Sequence, residues 1–266
     1  MRFLEQHSDS ITDLVHEISV KILKDVGFCV PEAKTLTRFE SAGFSTEHES
    51  QMVRMTQELV DAALSTLNQD VKLYDRARES AVPTNHNSCF MGAGTPVHVF
   101  DLGSANHGPA TQNDVRQLVR LQGALPQVDI VRPTVTATDH GENSDLVEIA
   151  ELLRNTGKPI VHRTLSADRV DASVEMSTIA AGGQDVFREK PNFATLYCPI
   201  SPSYFSPENI KCMVRWLTRG ETIKQYCRQR TMDILDDHQA PQLPESVEAE
   251  IERIVQRTIP DFHFEA

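Results

Sequence analysis

Apolar residues recur at Ile11, Leu14, Val15, Ile18, Ile22, Leu23 and Val26. Steps of three and four place them on one face of a helix. Ser8 or Ser10 offers a cap and Gly27 a stop. PEAKTLTRFESAG follows, with Pro31 suited to a first helical turn and Gly43 to a stop. TQELVDAALSTL predicts a third helix, capped by Thr56. Residues 1–70 therefore predict a helical layer, whose ordinary role is to pack on a larger domain.

The pattern changes over residues 71–110. VKLYDR, NSCFMGAG and PVHVFD are short, partly alternating and punctuated by Gly and Pro. They predict a small antiparallel meander. The glycines of GAG lack the third glycine and the strand-then-helix setting of a dinucleotide site.

Residues 111–220 alternate between the two periods. TQNDVRQLVRLQGAL predicts a helix with Thr111 and Asp114 in its first turn. DIVRPTV follows as a strand, then SDLVEIAELLRNTG as a helix with Ser144 as cap and Gly157 as stop. KPIVHRTL predicts a strand, SADRVDASVEMSTIAAGG a helix capped by Ser166, and PNFATLYCPIS a strand. Ser206 and Pro207 open a further helix. Strands alternating with helices across short loops imply parallel strands and right-handed crossovers. The strands end in polar residues: Arg132 and Thr134, then His162, Arg163 and Thr164, then Ser201. Sites of α/β folds gather at such carboxyl ends. Residues 221–266 predict a helical tail, interrupted by the two prolines of HQAPQLPES and closed by the amphipathic SVEAEIERIVQRTI.

Charge narrows the possible partners. With 26 Lys and Arg against 38 Asp and Glu, the formal net charge is -12. Nucleic acid and anionic membrane surfaces are disfavoured, because their phosphates are repelled. No apolar run reaches membrane-spanning length, and the N-terminus lacks the apolar core of a secretory signal. Five scattered cysteines without a CxxC predict reduced thiols and a cytoplasmic setting. No metal site, GxSxG or HExxH is present in the sequence, so a generic hydrolase or metalloenzyme has no support.

The order of the segments carries a resemblance. LVHEISVKILKDVGFCV, AKTLTRFESAGF, GAGTPVHVFDLGS, TQNDVRQLVRL, LLRNTGKPIVHRTL and AGGQDVFREKPNFATLYCPISP resemble, in order, successive segments of the trimethylamine methyltransferase family. The set spans nearly all of residues 10–214. The stretch RWLTRGETIKQYCRQRTMDILDDHQAPQLPESVEAEIERIV is similar to the family's closing helices. The later barrel strands, including the GATGPVTLAG type and any pyrrolysine, have no counterpart in this sequence. On this reading NIKCMVRWLTRGETIKQYCRQR is a junction across a missing middle. The fold expected is α/β: an incomplete (β/α) barrel of about three parallel strands, with the N-terminal helical layer (1–70), the meander (71–110), the partial barrel (111–220) and C-terminal helices (221–266).

The resemblance implies methyl transfer from a methylated amine, of the trimethylamine or glycine betaine type, to the cobalt of a corrinoid. A partner corrinoid protein normally brings that cofactor. The residues matched to strand ends are the expected contributors. Arg132, Thr134, Arg163 and Ser201 would face substrate or corrinoid, and His162 would bond the corrinoid or donate a proton. Tyr197 would offer an aromatic wall to an ammonium group. His98 and Asp101 are weaker candidates, and Trp216 and Met213 are expected in the core. Open sheet edges or an apolar face imply a homo-oligomer. The alternative is a silent relative that keeps at most a docking surface for the corrinoid protein.

Overall fold

The computed structural model describes residues 9–67, 71–83, 89–94, 96–101, 103–104, 106–198, 203–217 and 245–258. The chain divides into two compact units, one of residues 1–68 and 198–211, the other of residues 69–197 and 212–266.

The first unit begins with the three expected helices, α1 (Asp9–Asp25), α2 (Ala33–Ser41) and α3 (Gln57–Ser65). Between them lie three short strands that the sequence pattern does not predict: β1 (Phe28–Cys29), β2 (Ser45–Glu47) and β3 (Met52–Arg54). They form an antiparallel sheet in the order β1-β3-β2. Strands of two or three residues are too short to show a period of two. The turn into β1 needs a glycine. Gly27 has φ +82°, and a Cβ there would lie 2.3 Å from the Val53 carbonyl oxygen. Glu32 caps α2, so Pro31 lies before the helix and not in its first turn; the Glu32 carboxylate accepts from the Thr35 N–H at 2.8 Å and the Lys34 N–H at 3.3 Å. Thr56 caps α3 as expected, accepting from the Leu59 N–H at 3.4 Å. Val20, Val30, Leu36, Val53 and Val60 are buried. The apolar face predicted for α1 is different. Ile11, Leu14, Val15, Ile18, Ile22 and Val26 are all exposed.

The second unit corrects the expected meander. Residues 71–110 form two separate hairpins, β4 (Lys72–Tyr74) with β5 (Ala81–Pro83), and β6 (His98–Phe100) with β7 (His107–Pro109). The middle segment joins neither: Met91 bridges in parallel to Ile130. An isolated apolar stretch cannot reveal from its own pattern which neighbour it will pair with.

The alternating region forms as expected. α4 (Gln112–Ala124) opens with a capping box, in which the Thr111 N–H donates to Asp114 at 2.8 Å. A 3-10 segment (Thr138–Asn143) leads into α5 (Ser144–Asn155), so Asn143 takes the cap position and Ser144 is the first helical residue. β8 (Ile160–His162), α6 (Ala167–Ala180), the short α7 (Gln184–Glu189) and β9 (Phe193–Thr195) follow. Ser206 caps α8, residues 207–217, accepting from the Asn209 N–H at 3.1 Å. The expected closing helix is α9 (Glu245–Thr258). The continuation predicted over residues 221–244 lies outside the described residues.

β8 and β9 pair in parallel, with Ile160, Val161 and His162 level with Phe193, Ala194 and Thr195. The DIVRPTV strand contracts to a bridge from Val131 to Ile160. The Val131 N–H donates to the Pro159 carbonyl at 2.9 Å, and the Val161 N–H donates to Val131 at 3.0 Å. Side chains alternate across this ladder. Val131, Ile160 and Phe193 join the main core with residues of α4, α5, α6 and α9. Ile130 and Val161 pack on the opposite face with Leu73 of β4, with Ala194 and Cys89 beside them. The ladder therefore has a helix side and a hairpin side.

Candidate functional site

The carboxyl end of the ladder separates the predicted residues by face. Alternation sends Arg132 and Arg163 to the side of Val161, beyond the apolar layer of Leu73, Ile130 and Val161. Both guanidinium groups lack a hydrogen-bond or ion-pair partner among the described residues. Arg132 Nε and Thr134 Oγ1 are buried without a partner. The backbone under Arg132 is held firmly: its carbonyl accepts from Gln122 Nε2 of α4 at 2.9 Å. Gly92 crosses the same point, where a Cβ would lie 2.1 Å from Gln122 Oε1 and 3.1 Å from the Arg132 carbonyl oxygen. Both arginines are half-buried, and their guanidinium groups are left free of partners among the described residues in a chain of net charge -12. An unpaired guanidinium offers a planar fork of donors to a carboxylate, phosphate or amide oxygen.

His162 lies on the helix side. It is 4% exposed, with Nε2 2.7 Å from Glu148 Oε2. Neither ring nitrogen has a partner with hydrogen-bond geometry among the described residues, so the approach to Glu148 is a close ionic contact. Glu148 also accepts from the Ala137 N–H at 2.9 Å. The pair belongs to a ladder of buried acids that sequence reasoning missed. Asp145, Glu148 and Glu151 occupy one face of α5, and all three are buried. Asp145 takes the Leu165 N–H at 2.6 Å and Arg169 Nε at 3.0 Å. Glu151 takes Gln112 Nε2 at 2.7 Å, Asn155 Nδ2 at 2.8 Å and Arg116 Nε at 3.2 Å. Burial pushes the Asp145 carboxyl above the usual carboxylate range, against the Leu165 N–H and the Arg169 guanidinium, which pull it down.

Tyr197 is occupied on the helix side. Its hydroxyl lies 2.6 Å from Thr164 Oγ1, and its ring packs with Val170, Val174 and Cys212. Burial raises its phenol above the ordinary tyrosine value. Trp216 stacks on Phe193 at 5.5 Å and packs against the core, as expected, and Met213 is half-buried. His98 stacks on His107 at 5.6 Å within its hairpin. Asp101 holds a turn, accepting the Ser104 and Gly103 N–H groups at 2.7 and 2.9 Å. Ser201 lies outside the described residues. Alternation thus sets Arg132 and Arg163 on one face and His162 on the other, with Tyr197 packed on the α6 side. Among the described residues no cluster of three His, Cys, Asp or Glu could hold a metal ion. No helix is long and apolar enough to cross a membrane.

Parallel strands joined by helices, with polar groups at the strand ends, define a mixed α/β protein. The family model for trimethylamine methyltransferase (MTTB) matches residues 1–223, and the chain belongs to that family. It is similar to trimethylamine methyltransferase MttB of Desulfitobacterium hafniense (strain DSM 10664 / DCB-2), at 25% identity over 197 residues, covering 73% of this chain and 40% of that protein. Against glycine betaine methyltransferase of D. hafniense (strain Y51), identity is 24% over 213 residues, covering 79% and 44%. Trimethylamine methyltransferase MttB of Methanosarcina barkeri is 23% identical over 209 residues, covering 76% and 42%. The chain thus spans about two fifths of the length of these relatives.

Proposed function

We propose that this chain contributes to methyl transfer from an N-methylated amine that carries a carboxylate, glycine betaine being the type. The observation that carries this reading is the partnerless pair Arg132 and Arg163, with the buried Thr134 hydroxyl beside Arg132 in sequence. A protonated or quaternary amine without an acid group gains nothing from two guanidiniums and is repelled by them. A carboxylate gains charge-assisted hydrogen bonds from both. Held at that end, the substrate directs its methylated nitrogen away from the like charges.

The same donors fit a corrinoid's polar edge. In that alternative Arg132, Thr134 and Arg163 would meet its amide oxygens in place of the substrate carboxylate. When bound, a corrinoid supplies the nucleophilic cobalt that accepts the methyl group. A corrinoid protein is the expected carrier. The chain's own work is to bind, orient and exclude water. Leu73, Ile130 and Val161 close the floor beneath the arginines with apolar surface. His162 acts from behind: pairing with Glu148 on the helix side fixes the end of β8, and so the direction in which Arg163 leaves it.

The test is calorimetric titration with glycine betaine and with tetramethylammonium, followed by loss of Co(I) absorbance when the chain is mixed with cob(I)alamin and each amine. Glycine betaine is expected to bind, tetramethylammonium not. Arg132→Ala and Arg163→Ala should each weaken binding by roughly tenfold or more, the scale of one charge-assisted hydrogen bond. Equal binding of both amines, or full binding by both variants, would overturn the carboxylate reading. Binding without Co(I) loss would leave a silent relative that keeps its ligand site.

A further inference from the structure

Arg78 lies in the turn between β4 and β5 and takes no part in the chemistry proposed above. Its backbone is left-handed, with φ +63°, a region that glycine enters freely and other residues do not. One end of its guanidinium is used: Nη1 donates to the Asp75 carbonyl at 2.6 Å and to the Arg76 carbonyl at 3.2 Å. Nε and Nη2 are buried and have no partner among the described residues. These two nitrogens make up one edge of the planar group, and their N–H bonds run side by side. Such an edge matches two oxygens of one carboxylate or phosphate. Nearby charge does not fill it. The Asp75 carboxylate accepts the Glu79 and Ser80 N–H groups, each at 3.1 Å, and makes no ion pair with Arg78. Arg76 is a second half-buried cation beside Arg78, and its own donors go to the neutral carbonyls of Leu153 and Thr156. Burial and the neighbouring Arg78 hold the Arg76 guanidinium below the ordinary arginine value. Burial does the same to Arg78, against the opposing pull of Asp75. Water on the open edge would satisfy donors but leave the charge uncompensated.

We infer that this edge is a binding site for a small oxyanion, a carboxylate or a phosphate, held side-on by Arg78 Nε and Nη2. The occupant offsets charge that two adjacent guanidiniums carry without an anion. It also accounts for an arginine where the backbone favours glycine. The site is separate from the one proposed above. Arg132 and Arg163 leave the carboxyl end of the ladder, whereas this turn meets the chain ahead of β8, where the Arg76 N–H donates to the Gly157 carbonyl at 2.7 Å. The inference therefore does not depend on the proposed methyl transfer.

Calorimetric titration of the full chain tests it, with sodium phosphate and with sodium acetate in separate runs at fixed ionic strength. One saturable site of about millimolar affinity is expected for at least one of the two anions, and the tighter one identifies the source. Arg78→Lys keeps the charge but loses the paired donors, and should weaken binding by about tenfold. Arg78→Gly suits the left-handed turn and removes the guanidinium, so it should abolish binding with unchanged circular dichroism. The double variant Arg132→Ala with Arg163→Ala should keep this site, which separates its failure from that of the carboxylate reading at the other end of the ladder. No saturable binding of either anion, or binding that Arg78→Gly leaves unchanged, would overturn the inference.

Discussion

His162 and Glu148 show how a strand-end residue can matter without touching a ligand. Glu148 is shared between the imidazole at 2.7 Å and the Ala137 N–H at 2.9 Å. Glu148→Ala strands a buried imidazole and an N–H. It should cost about 3–5 kcal/mol in urea unfolding. The double change Glu148→Leu with His162→Leu should recover part of that, because the imidazole is no longer stranded while the Ala137 N–H stays open in both variants. If the double variant is as unstable as the single one, the pair is not the cause. Tyr197 gives a second prediction. Its raised pKa means the neutral phenol is favoured by the fold. Stability from this group is present below the ordinary tyrosine value and is lost as pH rises through the folded one. Absorbance titration of the native chain should show one tyrosine ionising late, and Tyr197→Phe should remove that late step. Arg132, Thr134, His162 and Arg163 were legible as strand-end polar residues, but their two facings were not. Facing depends on the register of a bridge only a few residues long. The acids of α5 were also missed. The signal was there: three carboxylates in steps of three within an otherwise apolar helix. A helix buried all round must pair such groups.

At the scale of elements, two cations close helix ends. Lys158 Nζ donates to the carbonyls of Gln122, Leu125 and Val128 at 3.2, 2.5 and 2.7 Å, at the C-terminus of α4. Arg76, from the first hairpin, donates to Thr156 at 2.6 Å and to Leu153, at the C-terminus of α5. Each satisfies carbonyls that a helix leaves open and complements its dipole. Lys158→Met keeps most of the stem and removes the donors. It should lower stability by about 1–3 kcal/mol at an unchanged denaturant slope, the range for hydrogen bonds from a charged group. An unchanged midpoint would show that water replaces the ammonium at no cost. The helices α4, α5, α6 and α9 were legible because each carries a long apolar period. The strands of the first unit and the pairing of the hairpins were not. Two- and three-residue strands are fixed by what they meet, such as Gly27 against the Val53 carbonyl, and not by local pattern.

For the whole molecule, the net charge of -12 sets the expected solution behaviour. The chain should pass through a heparin column at moderate salt, and retention would reveal a basic surface that the composition does not suggest. Membership of the methyltransferase family follows from a match over residues 1–223, while the chain spans only about two fifths of its relatives. The buried acids of α5 carry a last consequence, for inheritance. Asp145 with Arg169 and Glu148 with His162 are ionic locks, and Glu151 pairs with Arg116 while also holding Gln112 and Asn155. A change at one strands its partner, so descendants should alter both members or neither. Across many relatives these three pairs should drift in step, while exposed neighbours such as Glu142 wander alone.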